Sequence, residues 1–127
     1  MTAGIKRVVH LKYADAVKKV RDELAKEGFG IITEIDVRKV MKEKLGFEHP
    51  NYIILGACNP KFAHEALHKD RNIGLFMPCN VIVYEEGKDV VVVAQEPTKI
   101  VELLDNDELK SFAAGVESLL RKTVERI

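Results

Sequence analysis

Two Cys-Asn dipeptides, Cys58-Asn59 and Cys79-Asn80, carry the thiols and amides best placed for chemistry in this 127-residue chain. Each closes or opens an apolar run, the first within Tyr52-Ile53-Ile54-Leu55-Gly56-Ala57-Cys58-Asn59-Pro60 and the second within Phe76-Met77-Pro78-Cys79-Asn80-Val81-Ile82-Val83. Asn59-Pro60 reads as a helix start: the Asn side chain can accept from orphan backbone N–H groups, and proline suits the first helical position. Cys58 then precedes a helix N-terminus, whose partial positive charge stabilises a thiolate. On that reading it is a nucleophile. On the other it is a small core hydrophobe, since unpaired cysteine is among the most buried residue types.

Cys79 has the same two readings. If the corners meet, Cys58 and Cys79 form a dithiol or supply two soft metal ligands, although their separation is far from a CxxC spacing. Without a bulge, Cys79 shares a strand face with Leu75, Met77, Val81 and Val83, and Asn80 shares the other with Phe76, Ile82 and Tyr84. Pro78 lacks an N–H, which implies a sheet edge or a bulge. Gly56 and Pro78 shape the corners and count with Asn59 and Asn80 as candidate ligand-binding residues, although local caps and turns are the plainer use of the two amides.

His64 and His68 stand four apart, on one helical face at a spacing that metal sites use. The inward stripe of that helix is Phe62, Ala63, Ala66 and Leu67, however, so a solvated histidine pair is expected. Glu34 and Asp36 could pair as carboxylates, but Asp36 is better placed as a helix cap. There is no phosphate loop, dinucleotide fingerprint, nucleophile elbow or HExxH sequence, and no cofactor is expected.

The elements that must position these residues follow from the apolar periods. Ile5–Leu11 reads as a strand, and Tyr13, Val17, Val20 and Leu24 recur at helical spacing up to Gly28. Phe29–Asp36 alternates as a strand with Phe29, Ile31, Thr33 and Ile35 on one face. Asp36 caps a short helix over Val37–Leu45, which turns Val37, Val40, Met41 and Leu45 inward and stops at Gly46. Tyr52–Ala57 is apolar throughout, as in a strand in mid-sheet. A helix from Pro60 ends at the charged Lys69-Asp70-Arg71-Asn72 cluster. Ile73–Tyr84 reads as the longest strand, joined through Gly87 to Val90–Ala94 as a hairpin. A helical turn runs from Pro97 to Leu104, and Asn106 caps a last helix with Leu109, Phe112, Ala113, Val116, Leu119 or Leu120, and Val124 on its apolar face. Gly115 in its middle suggests a close approach to a neighbouring backbone.

These elements predict an α+β fold, with helices layered on a mostly antiparallel sheet in a single domain over 1–127. Twenty basic and twenty acidic residues cancel. The chain therefore lacks the electrostatic footprint for nucleic acid or an anionic membrane. The N-terminal Met1–Arg7 stretch lacks a leader's long apolar segment, so a cytoplasmic location is expected. Two cysteines in such a chain are thiols and not a disulfide framework.

Gly28-Phe29-Gly30 leading into Thr33-Glu34-Ile35-Asp36, then Leu55-Gly56-Ala57-Cys58-Asn59-Pro60, then Met77-Pro78-Cys79-Asn80-Val81-Ile82-Val83-Tyr84-Glu85 resemble the family of domain of unknown function 302. The resemblance runs over nearly the whole chain and is densest from Gly28 to Tyr84. It implies a small α+β domain with a curved antiparallel sheet of about five strands backed by helices, related to the TATA-binding-protein-like architecture, and a homodimer. It implies no activity, and the DNA-binding analogy does not transfer with the fold.

Three functions remain open to a chain of this kind. The first is a cytoplasmic dimer binding a small ligand in a cleft bounded by the two Cys-Asn corners. A second is a thiol-dependent redox or sulfur-handling enzyme with Cys58 as nucleophile and Cys79 in support. The third is a metal-binding protein using Cys58 and Cys79 with a histidine.

Overall fold

The computed structural model describes residues 4–127. Residues 1–3, part of the stretch read above for a leader, lie outside the description. Tyr13–Lys26 forms the first helix, α1, whose Ala16, Val20 and Leu24 are fully buried. Its end matches the expected pattern: the N–H groups of Glu27 and Gly28 bond back to Leu24 and Ala25, and Gly28 takes φ +84°, which a side chain would strain.

Five strands make one sheet: β1 (Gly4–Val9), β2 (Gly30–Asp36), β3 (Tyr52–Cys58), β4 (Cys79–Glu86) and β5 (Asp89–Gln95). Their order is β1-β5-β4-β3-β2, and every neighbouring pair is antiparallel. The tight β4–β5 hairpin turns at Gly87, at φ +62°. The last helix, α5 (Asp107–Glu125), starts at Asn106, whose side chain accepts from the N–H of Glu108 at 3.0 Å.

One face of the sheet carries Ile5 and Val9, Leu55 and Ile53, Val81 and Val83, and Val92 and Ala94, all buried with α1 and α5 in the main core. Burying each leucine among them, such as Leu24, Leu55 or Leu120, stabilises the fold by about 2 kcal/mol. Arg7 on β1 donates to the carbonyls of Val124 and Glu125, placing a cation at the negative end of α5.

A second, smaller core forms where α3 (Pro60–Lys69), a 3₁₀ segment over Arg71–Phe76 and α4 (Pro97–Val101) meet the start of α5. It holds Ala66, Ile73, Val101, Leu109 and Ala113. Phe112 packs against both cores.

Several expectations change. Ile73–Tyr84 is not one strand: residues 71–76 wind as 3₁₀ helix, and β4 begins only at Cys79, after the cis Met77–Pro78 peptide. Pro78 therefore marks neither an edge nor a bulge, since it precedes a strand that has neighbours on both sides. Leu75 is 80% exposed and shares no strand face with Cys79. The bulge lies instead in β2, between Ile31 and Thr33. It switches the alternation, so Ile31 pairs with the core-facing Ala57 while Thr33 and Ile35 fall on the opposite face.

The helix α2 (Val37–Leu45) has its expected caps, with Asp36 accepting from the N–H of Lys39 at 3.1 Å and Gly46 at φ +69°. It buries no residue fully, however, and Val40 and Leu45 face solvent because α2 meets only β2 and β3. Leu67 is likewise exposed on α3. Gly115 approaches a side chain and not a backbone: a Cβ there would stand 3.9 Å from Phe62 Cε1.

The sheet face away from α1 and α5 is also apolar. Ile35, Ile54, Ile82 and Val93 align across β2, β3, β4 and β5, and Tyr52, Tyr84, Val91 and Val8 align across β3, β4, β5 and β1. Tyr52 and Tyr84 stack with ring centroids 5.3 Å apart.

Candidate functional site

Antiparallel pairing brings the two Cys-Asn corners to the same end of the sheet. Ala57 near the end of β3 pairs with Cys79 at the start of β4, and Cys58 pairs with Gly30 on β2. Both cysteines are free and half-buried. Both line one cavity of about 80 Å³, which lies where the main core meets the smaller one.

Phe29 and Ala57 come to this cavity from the sheet side, Phe62, Ala63 and Ala66 from α3, and Leu109, Phe112, Ala113 and Val116 from α5. Ile73, Phe76, Met77 and Pro78 close it along the 3₁₀ segment, and Pro97, Ile100 and Val101 along α4. Cys58, Cys79, Asn59 and Gln95 are the polar side chains among the lining residues.

Two of these four are already engaged. Asn59 occupies the N-cap position of α3 without capping it; its Nδ2 instead donates to the carbonyl of Glu27 at 3.2 Å. The expected cap is thus a clamp between the end of α1 and the start of α3. Gln95 accepts from the N–H of Asn80 at 3.0 Å and donates to the carbonyl of Phe76 at 3.4 Å, stapling both flanks of the Met77-Pro78 corner. Among the described residues, no buried side-chain nitrogen or oxygen lacks a partner.

The two thiols and the Oδ1 of Asn59 are the polar groups left to a ligand. Burial pushes the Cys79 thiol up to about 11, and the nearby Cys58 adds to the cost of a second negative charge. At neutral pH Cys79 is therefore a neutral S–H group, poorly suited to resolve a disulfide as a thiolate.

Gly56 fixes the approach of neighbouring segments. A Cβ on it would fall 1.9 Å from Thr33 Oγ1 and 2.6 Å from Pro78 Cγ, so only glycine fits between β2 and the proline corner. Asn80 pairs with Gly56, is exposed on the opposite sheet face and does not line the cavity. The corners thus bring Cys58, Cys79, Asn59 and Pro78 together and leave Asn80 and Gly56 outside the lining.

His64 and His68 are exposed on α3, and no group of three or more His, Cys, Asp or Glu among the described residues could hold a metal ion. Gln95 lies one residue past the expected strand Val90–Ala94 and belongs to β5; the signal for it in the sequence is a lone amide closing five apolar residues. The contribution of α4 and the 3₁₀ segment had no such signal, since contacts between remote short segments leave no periodicity.

Fold and cavity together define a five-stranded α+β protein with an apolar, thiol-bearing hollow at one end of its sheet. The chain belongs to the family described as Domain of unknown function DUF302, whose model matches residues 5–127. It is also similar to the uncharacterised conserved DUF302 protein from Bacillus stearothermophilus, known from a crystal structure. The identity is 27%, the TM-score is 0.93, and the match covers 99% of this chain and 98% of that one. No curated protein matches the chain.

Proposed function

We propose that the protein is a cytoplasmic homodimer that binds a small molecule in the hollow between its cysteine-bearing corners. The observation that carries this reading is the cavity itself: about 80 Å³, apolar, and lined by residues from both corners. Small-molecule sites are typically apolar hollows with a few polar groups that orient the ligand, and here Cys58 and Cys79 are those groups. Among the described residues no helix is long and apolar enough to cross a membrane. The second copy of the dimer would cover the half-buried apolar rows through Ile54 and Ile82, with the exposed Ile35 and Val8 at their ends, because apolar surface left open to water favours association.

Thermal denaturation against a panel of small metabolites tests the ligand reading. A compound that raises the midpoint for the wild type but not for a cavity-filling Ala113→Leu variant supports it. A panel in which no compound distinguishes the two proteins counts against it.

Thiol chemistry at Cys58 is the second reading, favoured by its position just ahead of α3, where Pro60 opens the helix. Alkylation at pH 6 faster than free cysteine supports it, and a rate at or below the free value rejects it. The neutral Cys79 makes it the weaker of the two.

A further inference from the structure

We infer that the cavity selects small uncharged apolar molecules and excludes carboxylates, phosphates and ammonium ions. This deepens the ligand-binding reading and rests on it. The walls explain the selection. An ionic group entering the hollow loses its hydration and needs a counter-charge or several hydrogen bonds in return. Among the described residues, no Lys, Arg, Asp or Glu lines the cavity.

The amide of Gln95 is committed to Phe76 and Asn80 and the Nδ2 of Asn59 to the carbonyl of Glu27, which leaves the neutral Oδ1 of Asn59 as the one amide acceptor open to a ligand. Releasing either would undo the clamp that shapes the wall. Besides that oxygen there are two thiols, weak donors and weaker acceptors, and burial keeps the Cys79 thiol protonated. Contact with Phe112, Phe62 and Met77 further favours a polarisable ligand.

Size narrows the class. An apolar cavity of roughly 150 Å³ holds one benzene, so a hollow of about 80 Å³ suits an occupant of only a few heavy atoms. A larger one requires α3 and α4 to move apart. The seam between the two cores is the natural place for such movement, because Phe112 is the side chain that packs against both.

The test uses three probes of one size and branched outline, isobutene, acetate and isopropylammonium, titrated at pH 7 into the methyl-labelled chain. Shifts of the Val101, Leu109 and Val116 methyl signals and the thermal midpoint are the readouts. Isobutene is expected to move both, with the two ions at least roughly tenfold weaker. Ala113→Leu, and Ala66→Val as a milder filler should the first fail to fold, are expected to abolish the isobutene response.

If an ion binds as tightly as isobutene and the fillers abolish it, the selection for neutral ligands is overturned while the ligand site stands. If no probe binds, or binding survives both fillers, the inference and the ligand site fail together.

Discussion

Cys79 sits directly across the β3–β4 ladder from Ala57, one residue from Cys58, so thiols far apart in sequence meet at one sheet end. That juxtaposition raises the cost of ionising Cys79, which burial has already made high. A thiol whose folded value is raised from 9.0 to about 11 contributes stability that is present below pH 9 and is lost as pH rises through 11. Tyr13, pushed up to about 12 mainly by burial, acts in the same direction at higher pH. Melting curves between pH 8 and 11 should therefore fall more steeply for the wild type than for Cys79→Ala. Equal slopes would contradict a buried, neutral Cys79.

Asn59 gives a sharp contrast between what sequence suggests and what the structure does. As a helix cap, Asn59 should tolerate Asp, which also accepts from backbone N–H groups and favours a helix start. As a donor to the carbonyl of Glu27, it should not, because a carboxylate cannot donate. Asn59→Asp is expected to lower stability by at least about 1 kcal/mol in urea denaturation. A neutral or stabilising effect would return Asn59 to the capping role.

Gly56 is required by space and not by backbone angle. Gly56→Ala drives a methyl into Thr33 Oγ1 and Pro78 Cγ, and a loss of roughly 1–3 kcal/mol is expected. Combining it with Thr33→Ala should recover only part, since the proline contact remains. Full recovery would show that the Pro78 corner yields freely.

The apolar rows on the open sheet face lead to a prediction about assembly. Ile54→Lys and Ile82→Lys place charges in half-buried positions at the centre of that face. Light scattering should show a dimer for the wild type and a monomer for the double variant, with a helical circular dichroism spectrum unchanged. A wild type that is monomeric at all accessible concentrations would remove the dimer.

The sequence announces most elements because their signals are local. Asp36, Asn106 and Gly46 end or start helices where expected, and Gly87 turns the hairpin, since caps and positive-φ turns depend on a few adjacent residues. The candidate site is only half legible for the same reason. Cys58, Cys79, Asn59 and Pro78 stand out as motif residues, but Gln95, Phe112 and Val101 join the wall through tertiary packing that leaves no local trace. The β2 bulge defeats simple alternation by shifting Thr33 and Ile35 to the opposite face. A strand read from Ile73 fails because an apolar run fits a 3₁₀ turn as readily as a short strand.

The central claim is a real hollow shared by both thiol corners, and xenon-pressurised crystals test it most directly. Xenon fills dry apolar cavities without needing any polar partner. The expected result is an anomalous peak bordered by Cys58, Cys79, Phe112 and Val101, which vanishes in Ala113→Leu. Crystals that take up xenon elsewhere but leave this position empty would contradict the claim.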